Sequence, residues 1–156
     1  MSDRYKTDVL ETLSSFQSLE FGLKIYIASA YALIKHKTHE EIAFEYSYND
    51  IKSHSLERLA STYKKLTKNQ ELAKRIHKLI DARNKLAHVG LLVAEEIFAD
   101  IIDSNLEDES QFIRQIHGTL DSCLDDLSKE IQLILSTLSK YGLPLFSEDD
   151  KQKLFR

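Results

Sequence analysis

The sequence predicts an all-α fold, an antiparallel bundle of four to five helices, and three observations carry that expectation. Breakers are scarce: four Gly and one Pro among 156 residues leave too few turns for a β-sandwich, which needs one about every ten residues. Apolar residues recur at helical spacing over long unbroken stretches. The balance of 42% hydrophobic and 29% charged residues is that of an ordinary globular chain. At this length, residues 1–156 read as a single domain with a short C-terminal tail, 142–156.

The elements follow in order. Over residues 8–36, Val9, Leu13, Phe16, Leu23, Ile27, Tyr31 and Ile34 fall on one helical stripe. Residues 39–52 are less regular: Ile42, Phe44, Tyr46 and Tyr48 alternate with period two, which suggests an extended arm or a short strand. Ser55 is placed to cap a second helix, and Asn69 a third that runs to a kink or stop near Gly90. A shorter helix, LLVAEEIFADIID, follows over 91–103. The last long helix covers roughly 109–141, with Ile116, Leu120, Cys123, Leu127, Ile131, Ile134 and Leu138 on a seam close to a heptad. Gly142 and then Pro144 close it in the expected order, and Ser147 can cap a short helix in the tail.

Cys123 stands alone, which excludes a disulfide framework within the chain and a cysteine-cluster zinc site. No apolar run approaches the ~18 residues of a membrane span. The N-terminus, MSDRYKTDVLE, has no signal-peptide core, so a cytoplasmic location is expected. The net charge of −4 hides an asymmetry. Residues 58–85 carry nine basic side chains against Glu71 and Asp81, whereas residues 91–130 carry eleven acids against Arg114 and Lys129. Such a basic block is either a solvated helix face or an electrostatic footprint for a polyanion.

Two charges interrupt the apolar stripes. Glu20 falls between Phe16 and Leu23 on the first helix. Arg83 falls at the centre of the stripe made by Leu72, Ile76, Leu79, Ile80, Leu86 and Ala87 on the third. A lone buried charge costs several kcal/mol, so the two are expected to pair as a buried salt bridge. Lys24 follows Glu20 by one turn, close to the same stripe. Asn84 and His88, four apart, stack on the flank of the third helix, where a ligand or a second subunit could meet them.

At these residues the chain resembles the HEPN domain family. Arg83-Asn84-Lys85-Leu86-Ala87-His88 is similar to that family's R-x(4–6)-H motif, including the polar residue after the arginine. Glu20-Phe21-Gly22-Leu23-Lys24 is similar to its E-x3-K element on the first helix. The likeness extends from about residue 8 to 140. It implies a helical bundle, usually dimeric, in which two R…H motifs share one cleft. It also implies a metal-independent endoribonuclease of a toxin–antitoxin or antiviral system, in which the ribose 2′-hydroxyl attacks the neighbouring phosphorus. Carried over, His88 would transfer protons, Arg83 would steady the phosphate, and Asn84 would orient histidine or substrate. Glu20 and Lys24 would support them, with Lys78, Lys85 and Arg75 lying along the RNA. No cofactor and no metal are implied. The partners implied are RNA, a second copy of the chain and possible antitoxin or regulatory proteins. Some members only bind, so a non-catalytic module for a nucleotide or a partner protein is the alternative, with a purely structural dimerisation domain behind it. The chemistry suits the residues: histidine titrates near neutrality, and arginine matches a phosphate bidentately.

Other candidates carry less. His36, His39, Glu40 and Glu41 have a loose metal-like spacing, though a basic helix C-terminus accounts for His36 as well. His77 and Asp81 read as a surface pair, and His117 and Cys123 as packing residues. No Gly-rich phosphate loop or nucleophile elbow is present.

Overall fold

The computed structural model describes residues 3–95 and 106–144, with side chains over 3–89 and 108–144. The described residues form five helices and no strand: α1 (Asp3–Lys37), α2 (Tyr48–Ile51), α3 (Leu56–Leu66), α4 (Gln70–Glu95) and α5 (Leu106–Lys140). The helical bundle is therefore as expected, with boundaries that move outward by a few residues at the long helices. Ser55 accepts a hydrogen bond from the Arg58 amide at 3.4 Å, and Asn69 Oδ1 accepts one from the Leu72 amide at 3.1 Å. Both expected caps are in place. Gly142 adopts φ +64°, and the Gly142 and Leu143 amides donate back to Ser139 and Leu138, a left-handed cap that a side chain would strain.

Three expectations are corrected. The helix does not stop at Gly90; α4 continues to Glu95, since one glycine in a helix costs only about 1 kcal/mol. The separate helix over 91–103 begins instead as the end of α4, and its remainder lies outside the described residues, as does the tail helix at Ser147. The arm at 39–52 is no strand. It is coil to Ser47 and then α2, whose capping box joins Ser47 to Asp50.

That arm decides the topology. It runs back along α1: Lys35 pairs with Glu45 at 3.4 Å, the Tyr31 ring meets Phe44 and Tyr46, and Lys24 Nζ donates to the Lys52 carbonyl at 2.8 Å. The chain thus returns to a lower level before α3 begins, so α3 rises beside α1 rather than against it. The long helices at the two ends of the chain are also parallel. Glu109 acts on Tyr5, Leu127 faces Gly22, and the rings of His36 and Tyr141 lie 4.9 Å apart. The offset is constant at about 105 residues. Of the long helices described, α4 runs the other way, so the expected antiparallel arrangement holds for α4 against its neighbours and not for α1 with α5.

The core lies along the seam of α1, α3, α4 and α5, with Phe16, Leu19, Leu23, Ile27, Leu59, Tyr63, Leu72, Ile76, Leu86 and Leu120 closed to solvent. Each such apolar side chain contributes roughly 1.5–3 kcal/mol relative to exposure. Gly22 faces α5 at close range: a methyl group there would lie 3.0 Å from Leu127 Cδ2. The α5 seam is buried from Ile113 through Leu127 and again at Leu138, but Ile131 and Ile134 between them are only half-buried. The reason is geometric. The α3–α4 turn ends level with Glu130, and beyond it α5 has fewer neighbours.

Candidate functional site

α4 carries most of the residues singled out by sequence, and the structure divides them. Arg83 meets Glu20 across the α1–α4 interface, Nη2 to Oε1 at 3.5 Å. The pairing is the expected one; its burial is not. The Arg83 and Glu20 side chains keep 40% and 22% of their exposure, so the pair lies at the edge of the interface and not inside it. One carboxylate oxygen at that distance leaves most of the guanidinium's donors open to another ligand. Asn84 and His88 are exposed on the outer flank of the same helix, as the spacing requires. Arg83 and His88 therefore sit on different sides of α4, about 140° apart by helical geometry.

Lys24, the second residue of the E-x3-K element, is held by the Lys52 carbonyl. It fastens the returning arm to α1. Lys85 turns to α5, with its ammonium 4.2 Å from the Phe112 ring centre and 3.7 Å from Glu109. Lys78 is exposed about two turns earlier, and both lysines line a groove of about 510 Å³ with Phe112 and Gln115. Arg75 is committed elsewhere. Its guanidinium bonds Asp126 and Ser122 on α5 and Glu71 on its own helix, leaving the side chain 25% exposed. The hydrogen bond from Arg75 holds the Asp126 carboxyl below its ordinary range, while Asp126 raises the guanidinium in turn. Arg75 thus clamps α4 to α5.

The remaining candidates have ordinary places. His36 lies against Tyr141, and His39 Nδ1 accepts from the Glu41 amide. Among the described residues, no three His, Cys, Asp or Glu side chains are grouped to hold a metal ion. His77 and Asp81 are both exposed. Cys123 is buried in the seam, and burial pushes its thiol up from the usual range. His117 is corrected: it is part-exposed, 3.5 Å from Asp121, and not a core residue.

One cluster was missed by sequence reasoning. Tyr63 donates to Glu130 Oε2, Thr67 donates to the same oxygen at 3.3 Å, and the Tyr26 ring meets Tyr63 edge-on at 5.0 Å. Burial, and then the Glu130 carboxylate, push the Tyr63 phenol far above its ordinary range. A glutamate beside the heptad seam, level with a buried tyrosine, was the available signal; without knowing which helices adjoin, the two could not be joined.

No family model, curated protein or solved structure matches the chain. No helix of the described residues is long and apolar enough to cross a membrane.

Proposed function

We propose that the protein is a metal-independent endoribonuclease of HEPN type, acting as a homodimer in a toxin or antiviral setting. The observation that supports the reading is the paired geometry of its two motifs. Glu20 on α1 engages Arg83 on α4 while leaving that arginine half-open, and His88 stands exposed one helical turn beyond Asn84 on the same helix. A glutamate that fixes an arginine without burying it is what a phosphate-binding guanidinium requires. Because Arg83 and His88 look out from different flanks, one chain presents them poorly to a single phosphate. Two copies related by a two-fold axis would bring the histidine of one toward the arginine of the other.

In this reading His88 moves the proton of the ribose 2′-hydroxyl, and Arg83 steadies the growing charge on phosphorus. Lys78 and Lys85 border the approach for the RNA backbone, whereas Arg75 belongs to the fold. Catalysis by the 2′-hydroxyl leaves a 2′,3′-cyclic phosphate and spares DNA. The test is RNA cleavage in EDTA, wild type beside His88→Ala, with product ends identified. Cleavage by the wild type and its loss in the variant support the enzyme. Binding of a nucleotide or partner protein through Arg83 and His88, without cleavage, supports the non-catalytic module instead.

A further inference from the structure

Beyond the α3–α4 turn the bundle thins. Thr67 meets Glu130 at that level, yet α5 continues to Lys140 and α1 to Lys37. Ten further residues of α5 span about 15 Å. A groove of about 730 Å³ opens there, walled by Ala30, Leu33 and Ile34 of α1 and by Leu133 and Ile134 of α5. Leu133 is 71% exposed at its rim. The size is that of a small-molecule site, and it lies about 21 Å along α4 from Arg83 by helical rise.

Glu130 is the one carboxylate among the groove's lining residues, which also include Lys68, Asn69 and Thr137. Glu130 lines it beside Tyr26 and Thr67. Its Oε2 accepts from both Tyr63 and Thr67, and Tyr63 is itself fixed by the Tyr26 ring. Both of these hydrogen bonds fall on Oε2 and leave Oε1 for a ligand, while Lys68, which also lines the groove, is exposed. The carboxylate is thus oriented before any ligand arrives, so little ordering is left to be done on binding.

Elementary chemistry then selects the ligand. An anion would meet a fixed negative charge. A purely apolar molecule would strip water from Oε1 and give nothing back, which is unfavourable. A guanidinium could meet Oε1 through one donor, but most of its five donors would then be left unpaired against Leu33 and Ile134, at a desolvation cost. A single ammonium needs only Oε1 and leaves far fewer donors to satisfy.

We propose that this groove binds a small organic ammonium ion, a primary amine on an aromatic or aliphatic body, with its nitrogen at Glu130 and its body between Leu33 and Ile134. The site is separate from the proposed ribonuclease site, so the two readings stand or fall independently.

The experiment is an NMR titration of the intact chain with two probes of the same body, phenylbutylamine and phenylbutyrate. The amine should give saturable shifts at Ala30, Leu33, Ile134 and Thr137, and bind at least about tenfold more tightly than the acid, a gap of about 1.4 kcal/mol. Glu130→Gln keeps an acceptor for Tyr63 and should weaken the amine about tenfold, leaving the acid unchanged. Leu133→Lys alters an exposed position, so the fold should hold while a competing cation at the rim lowers amine binding. Equal binding of both probes, shifts centred elsewhere, or no saturation with the amine would overturn the proposal. So would concentration-dependent shifts at Leu133 without any probe, which would place a second copy of the chain in the groove.

Discussion

Arg75 and Arg83 lie about two turns apart on one helix and meet opposite fates. Arg75 is surrounded by Asp126, Ser122 and Glu71 and becomes a rivet between α4 and α5. Among the described residues Arg83 has one ionic partner, Glu20, at 3.5 Å, and retains 40% of its exposure. The residue type and the helix are the same. What differs is the number of acceptors the neighbouring helix supplies. The comparison teaches that a basic block in sequence is no single surface: part of it holds the protein together, and part is left for a ligand.

The largest effects that could break this contrast are on cleavage. His88→Ala should lower RNA cleavage by about 10²–10⁴-fold, the usual worth of a proton-transfer group. Its stability should move by no more than about 0.5 kcal/mol, as for other exposed positions. Equal cleavage by a folded variant would remove the histidine from the mechanism. Arg83→Ala should likewise cut cleavage by roughly 10²-fold or more, since a transition-state donor is lost. Arg75→Ala should leave the rate per folded molecule within about threefold, less than 1 kcal/mol of barrier. If single-turnover assays find the two arginines alike, the division between rivet and ligand is wrong.

Smaller effects separate the two ends of α4 by stability. Tyr63→Phe removes the hydrogen bond to Glu130 near the Arg75 end and should cost about 0.5–1.5 kcal/mol in denaturant unfolding. Glu20→Ala, at the Arg83 end, should cost less than about 1 kcal/mol, because a half-exposed pair is screened. A truly buried pair would cost roughly 3–5 kcal/mol, so a large loss would show that Arg83 is enclosed and consumed by its partner.

The smallest effect is on acid stability. The folded-state carboxyl of Asp126 is held low by Arg75, so its contribution is present above the unfolded carboxylate value of about 3.9. It is lost as the pH falls through the lower folded value. Asp126→Asn should therefore flatten the loss of stability on acidification below about pH 4. At the alkaline side the sign reverses: the raised phenol of Tyr63 stabilises the fold below about pH 10 and ceases to do so as the pH rises above it. Melting curves across both ranges, wild type beside Asp126→Asn and Tyr63→Phe, check both directions.

Much of this molecule is legible along the chain. The stripes of α1 and α4, the caps at Ser55 and Asn69, the seam of α5 and the glycine stop at Gly142 follow from local rules, since period and capping act within one or two turns. The exposure of Asn84 and His88 follows in the same way from helical angle alone. Even the partnership of Glu20 with Arg83 is readable, because each charge interrupts an apolar face and needs an opposite. Tertiary structure decided the rest. Whether that pair is buried depends on how far Arg83 lies from the edge of α1, and the stripe cannot measure that distance. The fate of Arg75 depends on Asp126 arriving 51 residues later. The parallel run of α1 and α5 depends on the arm over 39–55 folding back along α1, so that the next helix starts from the lower level. Local sequence fixes which face of a helix is apolar; only packing fixes which neighbour that face meets, and therefore which charges are spent on the fold and which remain for chemistry.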